Sequence, residues 1–126
     1  MSVLLQVALG GAIGASARYL SGAAILRAFG SGFPYGTMFV NIVGSFLMGL
    51  LAIWLMERMD GSFSRYAPFL MTGVLGGFTT FSAYSLDALY LMERGRYMSA
   101  SIYMGGSVVL AIAALFLGMT LARAIS

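Results

Sequence analysis

The sequence predicts an all-α membrane protein of four spanning helices, the third broken near mid-membrane, and three observations predict it. Of 126 residues, 60% are hydrophobic and only 9% charged, a balance that no small water-soluble domain needs. The charges gather at a few places and leave four long charge-free stretches, residues 1–17, 28–56, 66–86 and 97–122. The third of these carries a run of glycine and hydroxylic residues that weakens a helix in its middle. A span takes roughly 20 apolar residues, so four spans with short loops nearly fill the chain. The expectation is a single integral membrane domain over residues 1–126, with no room for a soluble catalytic domain.

Because a charge at the bilayer centre costs roughly 2.5–3.5 kcal/mol even on the lenient insertion scale, charges mark where segments end. The first span is placed at 3–26, ending at Arg27 and the loop Phe29-Gly-Ser-Gly-Phe-Pro34. Ala15-Ser16-Ala17 resembles a signal-peptide cleavage site, but there is no basic n-region before it, and Arg18 with a further apolar stretch follows it. Within this span Gly10, Gly14 and Arg18 share one face. The second span, 36–56, ends at Glu57-Arg58-Met59-Asp60-Gly61 and carries Thr37, Asn41 and Ser45 every four residues, with Gly44 beside them. An intramembrane Asn needs a polar partner, so this stripe faces protein or water, not lipid.

The third span, 66–92, is unlike the others. Between Thr72 and Ser85 the chain reads TGVLGGFTTFSAYS, in which Thr72, Gly73, Gly76, Gly77, Thr79, Thr80, Ser82 and Ser85 are small or hydroxylic. Paired glycines lose backbone entropy in a helix and paired threonines are stiff at χ1. Some 27 residues would span roughly 40 Å as a helix, more than the ~30 Å of hydrocarbon, so the segment has length to spare for a break. Non-helical backbone at that depth survives only where it is buried in protein or lines an aqueous cavity, and broken helices aim half-helix N-termini at anions and carbonyls at cations. Without a break, the same residues would serve as a close-packing helix. The fourth span, 98–122, follows Glu93-Arg94-Gly95-Arg96 and carries a stripe of Ser99, Tyr103 and Ser107. Pro34 and Pro68 stand at helix starts, where proline is tolerated, and the ten methionines suit adaptable apolar packing.

Several functions are excluded early. With no Cys and no His, the chain lacks disulfides, thiol chemistry and the usual zinc, haem and iron-sulfur ligands. No Ser-His pair or acid dyad offers intramembrane hydrolysis, so the chain is not expected to be an enzyme. The net charge of +3 comes from seven scattered arginines with no lysine and no basic run, so no nucleic-acid partner is read from it. Arg58, Arg65 and Arg123 fall on one side of a four-span topology, and Arg27, Arg94 and Arg96 on the other. Lys/Arg asymmetry sets orientation; a tie fits either insertion both ways or chance in a small count.

The motifs resemble those of the Fluc (CrcB) fluoride channels of bacteria. The landmarks are Gly14-x-x-x-Arg18-Tyr19, Gly36-Thr37-Met38-Phe39-Val40-Asn41-Ile42-Val43-Gly44, Thr72-Gly73-x-x-Gly76-Gly77-Phe78-Thr79-Thr80-Phe81-Ser82, and Glu93-Arg94-Gly95. The G-T-x-x-V-N-x-x-G and G-G-x-T-T-F-S strings together are specific. The resemblance implies passive fluoride export through two pores of an antiparallel, dual-topology homodimer in the bacterial inner membrane. It also implies a structural sodium ion at the dimer interface, held by backbone carbonyls matching Gly76 and Thr79. The family's paired aromatics fall on Phe81 and Tyr84, its pore Asn on Asn41 and its vestibule Arg on Arg18. Its hydroxyl track resembles Ser82, Ser85, Tyr103 and Ser107, and its third-span acid Asp87. Two positions depart from the family pattern: Tyr84 replaces its second phenylalanine, and Ala83 the threonine before it.

The chemistry of such a pathway is coherent. An aromatic ring has a positive edge that can contact an anion without a full charge that would hold it. The Asn41 amide and the hydroxyls of Thr80, Ser82 and Ser107 are donors able to replace the hydration shell of fluoride. A small dual-topology multidrug exporter would place a carboxylate deep in the first span, where this chain has only Arg18. A structural membrane subunit would not require the broken third span.

Overall fold

The computed structural model describes residues 2–55 and 65–125; Arg58, the Glu57–Gly61 charge cluster and the end of the second span at residue 56 lie outside them. All the regular structure among the described residues is helical. Helix α1 runs Val3–Phe29, its first turn capped by Ser2, whose hydroxyl accepts the Leu5 N–H at 3.1 Å. Helix α2 runs Tyr35–Ile53.

The third segment comes in two pieces. Its first, α3, opens as a π-helix over Pro68–Leu75 and closes as a single α-turn, Gly76–Phe78. Thr79 and Thr80 are then extended, with φ/ψ of −89/160 and −152/123. Helix α4, Phe81–Glu93, starts afresh with Thr80 as N-cap, its hydroxyl accepting the Ala83 N–H at 3.1 Å. Helix α5, Tyr97–Ile125, follows a turn at Gly95, where φ is +76°.

α1, α2 and α5 are each long and apolar enough to cross a membrane. The outward faces agree: Leu4, Val109, Ile112 and Phe116 are exposed, a surface that suits lipid and not water. The protein is a membrane protein. Its helices make two seams, α1 along α3 and α2 along α5. Gly10 of α1 meets Gly73 of α3, Gly14 lies against the backbone of Val74 and Phe78, and Gly77 against that of Gly11 and Ala15; a Cβ on Gly73 would lie 2.9 Å from the Gly10 Cα, and one on Gly77 2.7 Å from the Gly11 carbonyl. Gly49 and Gly118 bring the backbones of α2 and α5 together in the same way. Without a strong hydrophobic drive between helices in lipid, such backbone approach is what dispersion and packing reward. At the far end of α4, Ala88, Leu91, Ala100 and Tyr103 form a small core with Phe33, Met38, Tyr84, Met92 and Met104 packed on it.

Candidate functional site

Two extended residues between helices expose backbone groups that need partners, and Asn41 of α2 supplies them. Its amide oxygen accepts the Thr80 N–H at 2.7 Å, while its amide nitrogen donates to the Thr80 carbonyl at 2.9 Å. The side chain thus pairs with Thr80 as a neighbouring strand would. The Thr79 hydroxyl donates back to the Leu75 carbonyl at 3.0 Å and holds the end of α3. Arg18 of α1 donates through Nε to the Gly77 carbonyl at 3.0 Å. An arginine at the C-terminal end of a short helix also complements its dipole.

The interruption is narrower than the motif suggests, because Gly76–Phe78 remains helical and only Thr79 and Thr80 are extended. The four carbonyls from Gly76 to Thr79 nevertheless lose their usual helical donors, that of Gly77 taking Arg18 instead. In a continuous helix the Thr80 N–H would return to Gly76 and the Ala83 N–H to Thr79; here the first goes to Asn41 and the second to the Thr80 hydroxyl. Gly76, Phe78 and Thr79 therefore each carry a carbonyl oxygen without its helical donor, the ligand type that a hard cation takes.

Against the interruption lies a cavity of about 300 Å³ lined by Asn41, Ser45, Thr79, Thr80, Phe81, Tyr84 and Ser107, among others. Ser107 is 4% exposed, and its hydroxyl has no hydrogen-bond partner among the described residues. The Phe81 and Tyr84 rings stand 5.5 Å apart between centroids and tilted at 39°, as neighbours at i and i+3 on the new helix. Phe81 is 77% exposed on the single chain. The Tyr84 hydroxyl, which the sequence marks as a departure, donates to the Met104 carbonyl of α5 at 2.9 Å.

The other residues singled out in the sequence stand around this cavity without lining it. The Ser82 hydroxyl is 3.3 Å from that of Thr80, and Ser85 donates to the Phe81 carbonyl one turn back at 3.1 Å. Tyr103 is fully buried and donates to Asp87 at 3.3 Å; the same carboxylate oxygen accepts the Thr37 hydroxyl at 2.8 Å. Arg18 lines a separate cavity of about 360 Å³ that shares Thr80 with the first. The Arg18–Gly77 bond was not legible in the motifs, although Gly10, Gly14 and Arg18 on one face already aimed α1 at the Gly73/Gly77 face.

Residues 5–119 match the family described as CrcB-like protein, Camphor Resistance (CrcB). The chain is 59% identical to a protein of Cereibacter sphaeroides (strain ATCC 17029 / ATH 2.4.9), over 98% of this chain and 96% of the relative. It is 55% identical to one of Ruegeria sp. (strain TM1040), over 97% and 95%, and 51% identical to one of Caulobacter vibrioides (strain NA1000 / CB15N), over 98% and 97%. Each of the three is named fluoride-specific ion channel FluC.

Proposed function

The chain belongs to the CrcB family of fluoride channels, membrane proteins that are not enzymes, and on that premise we propose that fluoride leaves the cytoplasm passively along the cavity at the third-segment interruption. The observation that carries this reading is the Ser107 hydroxyl, buried and unpartnered on the wall of a cavity that also holds the Asn41 amide and the Phe81 and Tyr84 rings. A hydroxyl without a partner is costly to bury, and an anion in that cavity would accept a hydrogen bond from it. Fluoride must exchange its water shell for donors that do not trap it, so a few hydroxyl and amide hydrogens with ring edges suit conduction better than a full charge. Asn41 holds Thr80 with one amide hydrogen and keeps a second to offer. Thr80 joins this cavity to that of Arg18, whose charge draws the anion toward the vestibule; Ser82, Ser85 and Tyr103 continue the hydroxyl track.

The working unit is an antiparallel homodimer of dual topology in the bacterial inner membrane, with the third segment interrupted at mid-membrane and two pores. The exposure of Phe81 on the single chain is in keeping with a second copy beside it. The Gly76 and Thr79 carbonyls of both copies would hold a sodium ion, which when bound supplies a fixed positive charge and engages the oxygens whose helical donors are diverted. Purified protein in liposomes tests the reading: fluoride efflux that far exceeds chloride efflux is expected, and Ser107→Ala should slow it roughly tenfold. No fluoride efflux from the folded wild-type protein would refute it.

A further inference from the structure

The loop between α1 and α2 is built more rigidly than a connection needs. Pro34 sits at φ −79° and ψ 64°, and the Tyr35 N–H donates to the Phe33 carbonyl at 2.8 Å, so Phe33-Pro34-Tyr35 is an inverse γ-turn with proline fixing its centre. The Arg96 guanidinium, from the turn before α5, donates to the Gly32 carbonyl and ties this loop to that turn. The Phe33 ring also packs against that of Tyr35, 4.8 Å between centroids and tilted at 49°. A loop held at both flanks presents one side chain inward, the Phe33 ring.

That ring meets Tyr103 edge to face, 5.6 Å between centroids and 89° between planes. On its other side Tyr103 packs against Tyr84 at 5.3 Å. Tyr84 lines the cavity of the proposed fluoride path, and Phe33 lines another of about 290 Å³, with Thr37, Asp87 and Arg94 in its wall. Tyr103 therefore stands between two cavities, fully buried, with one ring neighbour from each and its hydroxyl on the Asp87 carboxylate of the second.

We propose that Phe33, carried on the Pro34 turn, is a positioning residue for fluoride permeation that fixes the Tyr103 hydroxyl between the two cavities. The inference rests on the fluoride-channel reading and adds to it a loop residue outside every hydroxyl and ring motif. Tyr103 has two torsions to its ring, and Phe33 closes them off together with Tyr84, the core around Ala88 and Leu91 and the Asp87 carboxylate. With Phe33 removed, the ring can swing toward the space left by the loop, and its hydroxyl leaves Asp87 and its place between the two cavities.

A double-mutant cycle of fluoride efflux from liposomes tests this, with elution of each variant in detergent as the check on folding. Phe33→Ala should slow efflux about tenfold and Phe33→Tyr, which keeps the ring, by less than about twofold. In a Tyr103→Phe background, which has no hydroxyl to position, Phe33→Ala should cause no additional loss. Equal losses in both backgrounds, or full efflux from Phe33→Ala alone, would overturn the proposal. If Phe33→Ala does not elute as the wild type does, Pro34→Ala takes its place. That variant keeps the ring and loosens only the turn, so a roughly threefold loss confined to the Tyr103 background is expected, and a loss in both backgrounds overturns the proposal equally. A wild type that passes no fluoride refutes the channel reading instead.

Discussion

The seam between α2 and α5 and the interruption at Thr79–Thr80 are both built on small residues, glycine in one and threonine in the other, yet they do opposite things. Along the seam Gly49 and Gly118 let two intact helices touch backbone to backbone. At the interruption, Asn41 captures the Thr80 N–H and carbonyl and the Thr80 hydroxyl captures the Ala83 N–H. Small residues alone make close packing; small residues together with a side chain that takes over the backbone bonds make a site. Changes in the first region should therefore remove the folded protein, and changes in the second should remove flux from a protein that still folds.

The largest effect is expected from Gly118→Val. A Cβ there lies 3.1 Å from the Leu50 N and closer still to the Phe46 carbonyl, and backbone cannot yield as a side-chain end can. The overpacking should cost about 3 kcal/mol or more, read as loss of the monodisperse peak in detergent. A Gly118→Val protein with wild-type stability would break the comparison at its first half.

Phe81→Ile comes next and should act only on flux. Phe81 is exposed on the single chain and contributes no buried core, so isoleucine should fold while removing the positive ring edge. Fluoride efflux should fall by at least ~100-fold with the elution profile unchanged. Normal efflux through a folded Phe81→Ile protein would refute the aromatic contact.

Asn41→Ala should do some of both. The Thr80 N–H and carbonyl lose their partners, about 1–3 kcal/mol for each group left unsatisfied in a dry site, and the cavity loses an amide donor. A drop in melting temperature with slower efflux is expected. A variant as stable as the wild type would mean that water replaces the clasp and that the interruption does not depend on Asn41.

Much of this was legible from the positions of charges. A charge has no cheap place in hydrocarbon, so Arg27, Glu93 and Arg94 marked segment ends whatever the helices pack against. The weakness at Gly76–Ser82 was legible too, as composition. Its placement was not: whether the chain unwinds at Gly76 or at Thr79 is decided by which backbone groups Asn41 reaches, some forty residues away in the chain, and by the Thr79 hydroxyl that keeps the preceding turn closed. Nor did the π-helical opening at Pro68 have a composition of its own, since it is a difference of hydrogen-bond register. The hydroxyls were visible as a track, but several are already engaged: Ser85 on Phe81, Tyr84 on Met104, Tyr103 on Asp87. Only packing reveals that, among the described residues, the buried Ser107 hydroxyl is left without a partner.

The smallest effect, and the most specific to this chain, is expected from Tyr84→Phe. The hydroxyl added at this position donates to the Met104 carbonyl, an acceptor that also belongs to the hydrogen-bonded backbone of α5, so its loss leaves no group stranded. The cost should be about 0.5–1.5 kcal/mol of stability, the net value of one such bond. The ring keeps its neighbours Phe81 and Tyr103 on either side, so fluoride efflux should stay within about twofold of the wild type. Efflux measured beside a thermal melt separates two roles for the hydroxyl: a lower melting temperature with normal efflux makes it an anchor for the ring. A lost efflux with unchanged melting would instead make it a donor to the anion, and the clasped interruption would then extend its site one helical turn further into α4 than Asn41 and Ser107 define.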